Sequence, residues 1–239
     1  MLFKETVTKG TLDLIIALMR DPLLENFYLV GGTALSLKIG HRKSIDIDLF
    51  TSGEFDSALL GDYLKANYGA KLTQQFRNCV KGQVDGVEFD FISHRYPHVR
   101  PPESIEEIRM MSLEDIAAMK INAIVGSGTR IKDFIDIHYL LKRMWYADML
   151  KYYCAKYPNV TPDMARSSLL YYHDINFKVP VVLYDAKLKW KDVETSIKRA
   201  IADYEKDLGK PRTYLKESKT NYFGLKKQKG RGHDNGLGM

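Results

Sequence analysis

Residues 28–50, YLVGGTALSLKIGHRKSIDIDLF, decide the fold of this chain. Tyr28-Leu29-Val30 is a short apolar, β-favouring run. Gly31-Gly32 breaks it, and residues 33–39 read as a helix. After a basic loop, His41-Arg42-Lys43, the stretch Ser44 to Phe50 alternates as a strand does. It sets Ile45, Ile47 and Leu49 on one face and Ser44, Asp46 and Asp48 on the other.

The chemistry follows from that order. A strand that ends in two glycines at a helix start turns backbone N–H groups and the positive end of the helix dipole toward an anion, most often a phosphate. Two carboxylates at i and i+2 have Cα atoms roughly 6–7 Å apart, so Asp46 and Asp48 can converge on the same ions. Mg²⁺ takes oxygen ligands at about 2.0–2.1 Å and is usually held by one or two carboxylates plus substrate phosphates. Alone, Asp-x-Asp is an ordinary polar strand face and Gly-Gly an ordinary tight turn. Together they point to metal-assisted transfer from a nucleoside triphosphate.

The block resembles the first motif of the nucleotidyltransferase superfamily (DNA polymerase β-like), a Gly-Gly or Gly-Ser helix start followed by Asp-x-Asp on the next strand. More narrowly, GGTALSLKIGHRKSIDIDLF is similar to the AbiEii/AbiGii abortive-infection toxins. That resemblance implies an α/β (α+β) fold, with a nucleotidyltransferase-type mixed β-sheet core flanked by helices and then a mainly helical C-terminal region. It also implies a third carboxylate from a strand beside the Asp-x-Asp strand. The Val84-Asp85-Gly86-Val87 stretch reads as a hairpin turn, and Val87 to Ile92 alternates after it. Asp90 is the residue expected to complete the set with Asp46 and Asp48; Glu88 is the alternative, and both facing solvent remains open.

Further along, Ser112-Leu113-Glu114-Asp115 reads as a helix start. Ile116, Met119 and Ile124 are core candidates, and Lys120 comes about two turns in. Gly126-Ser127-Gly128 ends that helix, and Thr129 opens another over residues 130–144 with Phe134, Ile137, His138 and Leu141 on one stripe. Arg130, Lys132, Asp133 and Asp136 fall off the stripe. Leu113-x6-Lys120 with Arg130-x-Lys132-Asp133-x-x-Asp136 looks like the downstream motifs of the same toxin family. By that likeness Lys120, Arg130 and Lys132 would join Gly31, Gly32, Thr33 and Ser44 on the nucleotide. Asp133 would orient a basic group or act as a base, and His41 is a weaker candidate for phosphate contact. The plain reading of Arg130 and Asp133 is a surface ion pair at i, i+3.

The remainder bounds the organisation. The chain has 239 residues and a net charge of +6, but residues 210–239 hold eight Lys/Arg against two Asp/Glu, leaving 28 of each elsewhere. The high pI belongs to a tail that attracts nucleic-acid phosphates or is simply a solvated, flexible end. Residues 1–100 are expected to form the nucleotidyltransferase core, 101–208 a helical region and 209–239 the flexible tail. Residues 1–20, 56–68, 146–157, 161–173 and 190–208 read as helices, and Val179 to Tyr184 falls in a region that the resemblance makes helical. The absence of an apolar span or leader and the two distant cysteines, Cys79 and Cys154, suit a cytoplasmic protein with no membrane contact.

The expected activity is therefore Mg²⁺- (or Mn²⁺-) dependent transfer of a nucleotide from an NTP to an RNA (tRNA) or protein acceptor. The resemblance makes the chain the toxin of a toxin–antitoxin or phage-defence pair, with a cognate antitoxin. A phosphotransferase working from the same pocket and a non-catalytic nucleotide- or RNA-binding module are the competing readings.

Overall fold

In a computed structural model, which describes residues 1–208, the sheet and helices announced by the opening motif form one layered unit. A short 3₁₀ turn precedes α1 (Lys9–Arg20), and β1 (Tyr28–Leu29) leads into α2 (Gly31–Ile39). Then come β2 (Ile47–Thr51), α3 (Ser57–Tyr68), β3 (Lys71–Phe76), β4 (Cys79–Val84), β5 (Val87–Ser93), β6 (Glu103–Ile105) and β7 (Ile108–Met110). Five helices end the described chain: α4 (Leu113–Gly126), α5 (Ile131–Leu141), α6 (Tyr146–Lys156), α7 (Pro162–Leu169) and α8 (Trp190–Leu208). The seven strands make one mixed sheet in the order β3-β4-β5-β2-β1-β7-β6. The β2–β5 and β1–β7 pairs are parallel and the others antiparallel.

Local chemistry sets most boundaries as expected. Asp56 caps α3 by accepting from Ala58 and Leu59 N–H, and Gly69 closes it in the left-handed region. Asp85 and Gly86 turn β4 into β5 at φ 50° and 80°, the signs a type I′ turn requires. The α2 helix is buried on nearly every side, with Thr33, Ala34, Leu35, Ser36 and Leu37 inaccessible to solvent. It is the axis on which the sheet and the later helices pack.

The structure departs from expectation in four places. Ile45 precedes the strand and is 60% exposed, so only Ile47 and Leu49 of its row enter the core. The sheet continues past residue 100 into the β6–β7 hairpin, and the helices begin at Leu113. Met119, expected in the core, is only half-buried. Val179–Tyr184 is extended rather than helical. Lys43 N–H donates to the Val182 carbonyl at 2.8 Å, and Tyr184 N–H to that of His41 at 3.2 Å. The basic tail expected over 209–239 lies outside the described residues. Among those described, no helix is long and apolar enough to cross a membrane, and Cys79 and Cys154 are free thiols.

Candidate active site

Gly31 stands at φ +68°, where β1 gives way to α2, and a Cβ there would collide with the Asp48 carboxylate. At Gly32 a Cβ would strike the Arg42 guanidinium. Both glycines are thus required by close approach, one to an acid and one to a base. They open one end of a cavity of about 320 Å³, whose polar lining includes Ser44, Asp46, Asp48, Asp90, Lys120, Arg130 and Lys132.

Asp46, Asp48 and Asp90 all line this cavity. Parallel pairing puts Asp90 in register with Asp48, whereas Glu88 is exposed and outside the cavity lining. Asp90 is ion-paired with Lys81 of β4, and Asp46 lies 3.4 Å from Lys132 Nζ. Burial pushes the Asp48 carboxyl up; Lys120 opposes the rise, while Asp90 and Asp46 add to it. A half-buried acid raised by two others in the same cavity presents hard oxygen donors of the kind that fit a divalent cation. Among the described residues no three His, Cys, Asp or Glu side chains form a ready cage. An ion held here would need oxygens beyond those of these carboxylates.

The expected cations are placed differently. Lys120 is buried between two acids, 2.8 Å from Asp133 and 2.7 Å from Asp136, rather than free beside a phosphate. Asp136 also accepts from both Arg42 Nε (2.7 Å) and Nη2 (3.0 Å), and His41 Nε2 lies 2.7 Å from it. Burial alone would raise the Asp136 carboxyl; Arg42, Lys120 and His41 outweigh it and hold it well below the carboxylate range. Burial would lower the Lys120 amine, but Asp136 and Asp133 raise it above its ordinary value. Burial pushes the His41 imidazole down despite Asp136. His41 is thus an anchor for Asp136.

Asp133, whose plain reading is half of a surface ion pair with Arg130, is buried, and so is Asp136. Asp133 accepts from Lys120 at 2.8 Å and from Arg130 Nε at 2.7 Å and is outside the cavity lining, so its carboxylate faces these two basic groups. Thr33 turns inward too, donating to Ser44 Oγ at 3.0 Å and to the Asp46 carbonyl, and so fixes the start of the acidic strand. Arg130 keeps a side chain 54% exposed at the rim, with Lys132 beside it. Arg42, present in the sequence only as part of a basic loop, was not singled out there. Phe50 and Ile92, also on the lining, carry the signal that they follow Asp48 and Asp90 by two residues.

A helix-start cradle beside strand-borne aspartates on a mixed sheet marks the nucleotidyltransferase class. The family described as nucleotidyl transferase AbiEii toxin, type IV TA system, matches residues 13–205, and the chain belongs to it. The uncharacterized protein aq_aa25 of Aquifex aeolicus (strain VF5) is 31% identical over 188 residues, 76% of this chain and 89% of that one. Among solved structures, JHP933 from Helicobacter pylori is similar at TM-score 0.46 and 14% identity, covering 84% of this chain and 96% of that one. The antibiotic-resistance factor ANT(2'')-Ia is similar at TM-score 0.38 and 14% identity, over 84% and 97%.

Proposed function

We propose that this chain transfers a nucleotide from a nucleoside triphosphate to a hydroxyl of an RNA, with tRNA the first acceptor to test and protein the second, as the toxin of a toxin–antitoxin pair. The observation that carries the reading is the meeting of three things in one cavity: the Gly31 helix start, Asp48 against it, and Asp90 in register with Asp48. The N–H groups of Gly31 and Gly32 face the phosphates, and Arg130 and Lys132 add charge at the rim. Asp46, Asp48 and Asp90 would hold Mg²⁺ or Mn²⁺. Bound there, the ion supplies charge neutralisation at the phosphate oxygens.

The chain's own residues do the rest. Arg42 and Asp136 lock the basic loop behind Gly32, and Asp133 sets the direction of Lys120 and Arg130. The acceptor oxygen forms a bond to the α-phosphorus, the bond to the bridging oxygen breaks and pyrophosphate leaves. The hydroxyl proton passes to Asp90. Placement and charge suffice for such a step, and no covalent enzyme intermediate is needed.

Incubating the protein with each α-labelled NTP, Mg²⁺ and total RNA should label an RNA, and γ-labelled NTP should label nothing. Label from the γ position would make the enzyme a phosphotransferase. Label in a protein fraction alone would change the acceptor, and none at all with intact NTP would leave a binding module. Co-purification of a neighbouring small protein that suppresses labelling tests the antitoxin.

A further inference from the structure

One half of the cavity is lined away from the carboxylates, by apolar and ring side chains. The register that sets Asp48 beside Asp90 also sets Phe50 beside Ile92, two residues further along the same strand faces. A second, apolar rank thus lies roughly 6–7 Å beyond the acidic one. Past it comes His94, its ring 5.4 Å from that of Phe50 with the planes 33° apart. His94 Nε2 lies 3.2 Å from the Tyr157 hydroxyl. Burial, and then Lys156, pushes the His94 imidazole down to about 4, so this ring is neutral at physiological pH. Met119 of α4 completes the apolar lining.

Phe50, Ile92, His94 and Met119 are all half-buried, and all line the cavity. Flat neutral rings beside an aliphatic and a thioether wall suit a planar heterocycle. Asn122 lines the same cavity. At 100° per residue it sits on the Met119 flank of α4, away from Lys120. Its carboxamide makes no hydrogen bond to the described residues, so an N–H donor and a carbonyl acceptor are both unspent.

We infer that this half of the cavity seats the base of the incoming nucleotide, stacked along Phe50 and His94, and that Asn122 is the residue that reads which base it is. The inference rests on the transfer reading above, and the two fail differently. A carboxamide pairs with an edge that offers one donor beside one acceptor. A carboxylate in its place accepts only, and favours guanine, whose N1–H and N2–H₂ are adjacent donors.

The test is equilibrium binding of the four Mg-NTPs, and of inorganic tripolyphosphate, to the full chain and to Asn122→Ala, Asn122→Asp and His94→Ala. Melting curves check that each variant is folded, with Asn122→Ser as the substitute where one is not. Asn122→Ala should shrink the spread between the tightest and weakest NTP by roughly tenfold, the worth of one lost bidentate pair. Asn122→Asp should move the ranking toward GTP. His94→Ala should weaken all four NTPs by roughly five- to tenfold, as expected for one stacking partner. Tripolyphosphate affinity should not change in Asn122→Ala or His94→Ala. An unchanged NTP ranking in both Asn122 variants overturns the inference while leaving nucleotide transfer intact. So does a wild type that binds all four equally. A wild type that binds tripolyphosphate but no NTP overturns the transfer reading itself.

Discussion

Changing Asp136 to Asn removes the charge at the centre of the buried ion network. Arg42, Lys120 and His41 converge on this carboxylate at 2.7–3.0 Å, and each of the four side chains is less than a tenth exposed. Asparagine keeps the size and one acceptor oxygen but leaves Arg42 with no ion-pair partner among the described residues and Lys120 with Asp133 alone. Breaking one partner out of a buried ion cluster costs about 3–5 kcal/mol. For a chain of this size that lowers Tm by about 6–20 °C. The pH dependence gives a second readout. A carboxyl held below its unfolded value of 3.8 stabilises the fold above that pH and loses the contribution as pH falls toward the folded value, at about 1.4 kcal/mol per pH unit. Scanning calorimetry at several pH values should therefore show a constant gap between wild type and variant near neutrality, narrowing below about pH 4. A Tm loss under about 2 °C at pH 7, or a gap that persists undiminished into acid, would refute the account of the network.

Three further outcomes are expected. Asp48→Asn should abolish label transfer yet melt no lower than wild type. Its carboxyl is raised by burial and by its acidic neighbours, so the wild type loses stability as pH rises from the unfolded value of 3.8 toward the raised folded value, and the variant's advantage should grow over that interval and level off above it. Gly31→Ala should destabilise by more than Gly69→Ala in urea titrations. Both residues are left-handed, each costing about 1–2 kcal/mol to substitute, but only at Gly31 does the new Cβ meet another side chain; equal losses would remove the collision argument. Mg²⁺ with a non-hydrolysable NTP at about a hundred times its Kd should stabilise wild type by about 2.7 kcal/mol, and an Asp46→Asn/Asp48→Asn double variant by much less. An equal shift in both would place the metal elsewhere.

What could be read in the sequence was whatever local chemistry decides. Gly31, the Asp56 and Gly69 caps and the Asp85-Gly86 turn each announce themselves through a conformation or a hydrogen bond made within a few residues. The β6–β7 hairpin does not. Its turn is Glu106-Glu107, both at positive φ (49° and 67°), where a glycine or asparagine would have been the signal. The strain is offset from afar: Glu106 accepts from Leu2 N–H at 2.9 Å and pairs with Lys4 at 2.6 Å, and Glu107 pairs with Arg20 at 2.8 Å. None of those partners is visible from the turn itself.

The same limit governs the site. Asp133 and Asp136 fall off the apolar stripe of α5, and spacing, which reports only neighbours on the same helix, gives no sign of their burial. What buries them is Arg42, 94 residues upstream of Asp136, together with Lys120. Their burial then settles how much Lys120 has left for a ligand. An ammonium carries three N–H donors; one is given to Asp133, and the charge also pairs with Asp136 at 2.7 Å. The donor capacity left over belongs to a side chain that lines the cavity. On the reading proposed above, Lys120 would offer a nucleotide a donor whose direction is set by the two acids behind it. Removing either acid should therefore loosen nucleotide binding before it unfolds the chain.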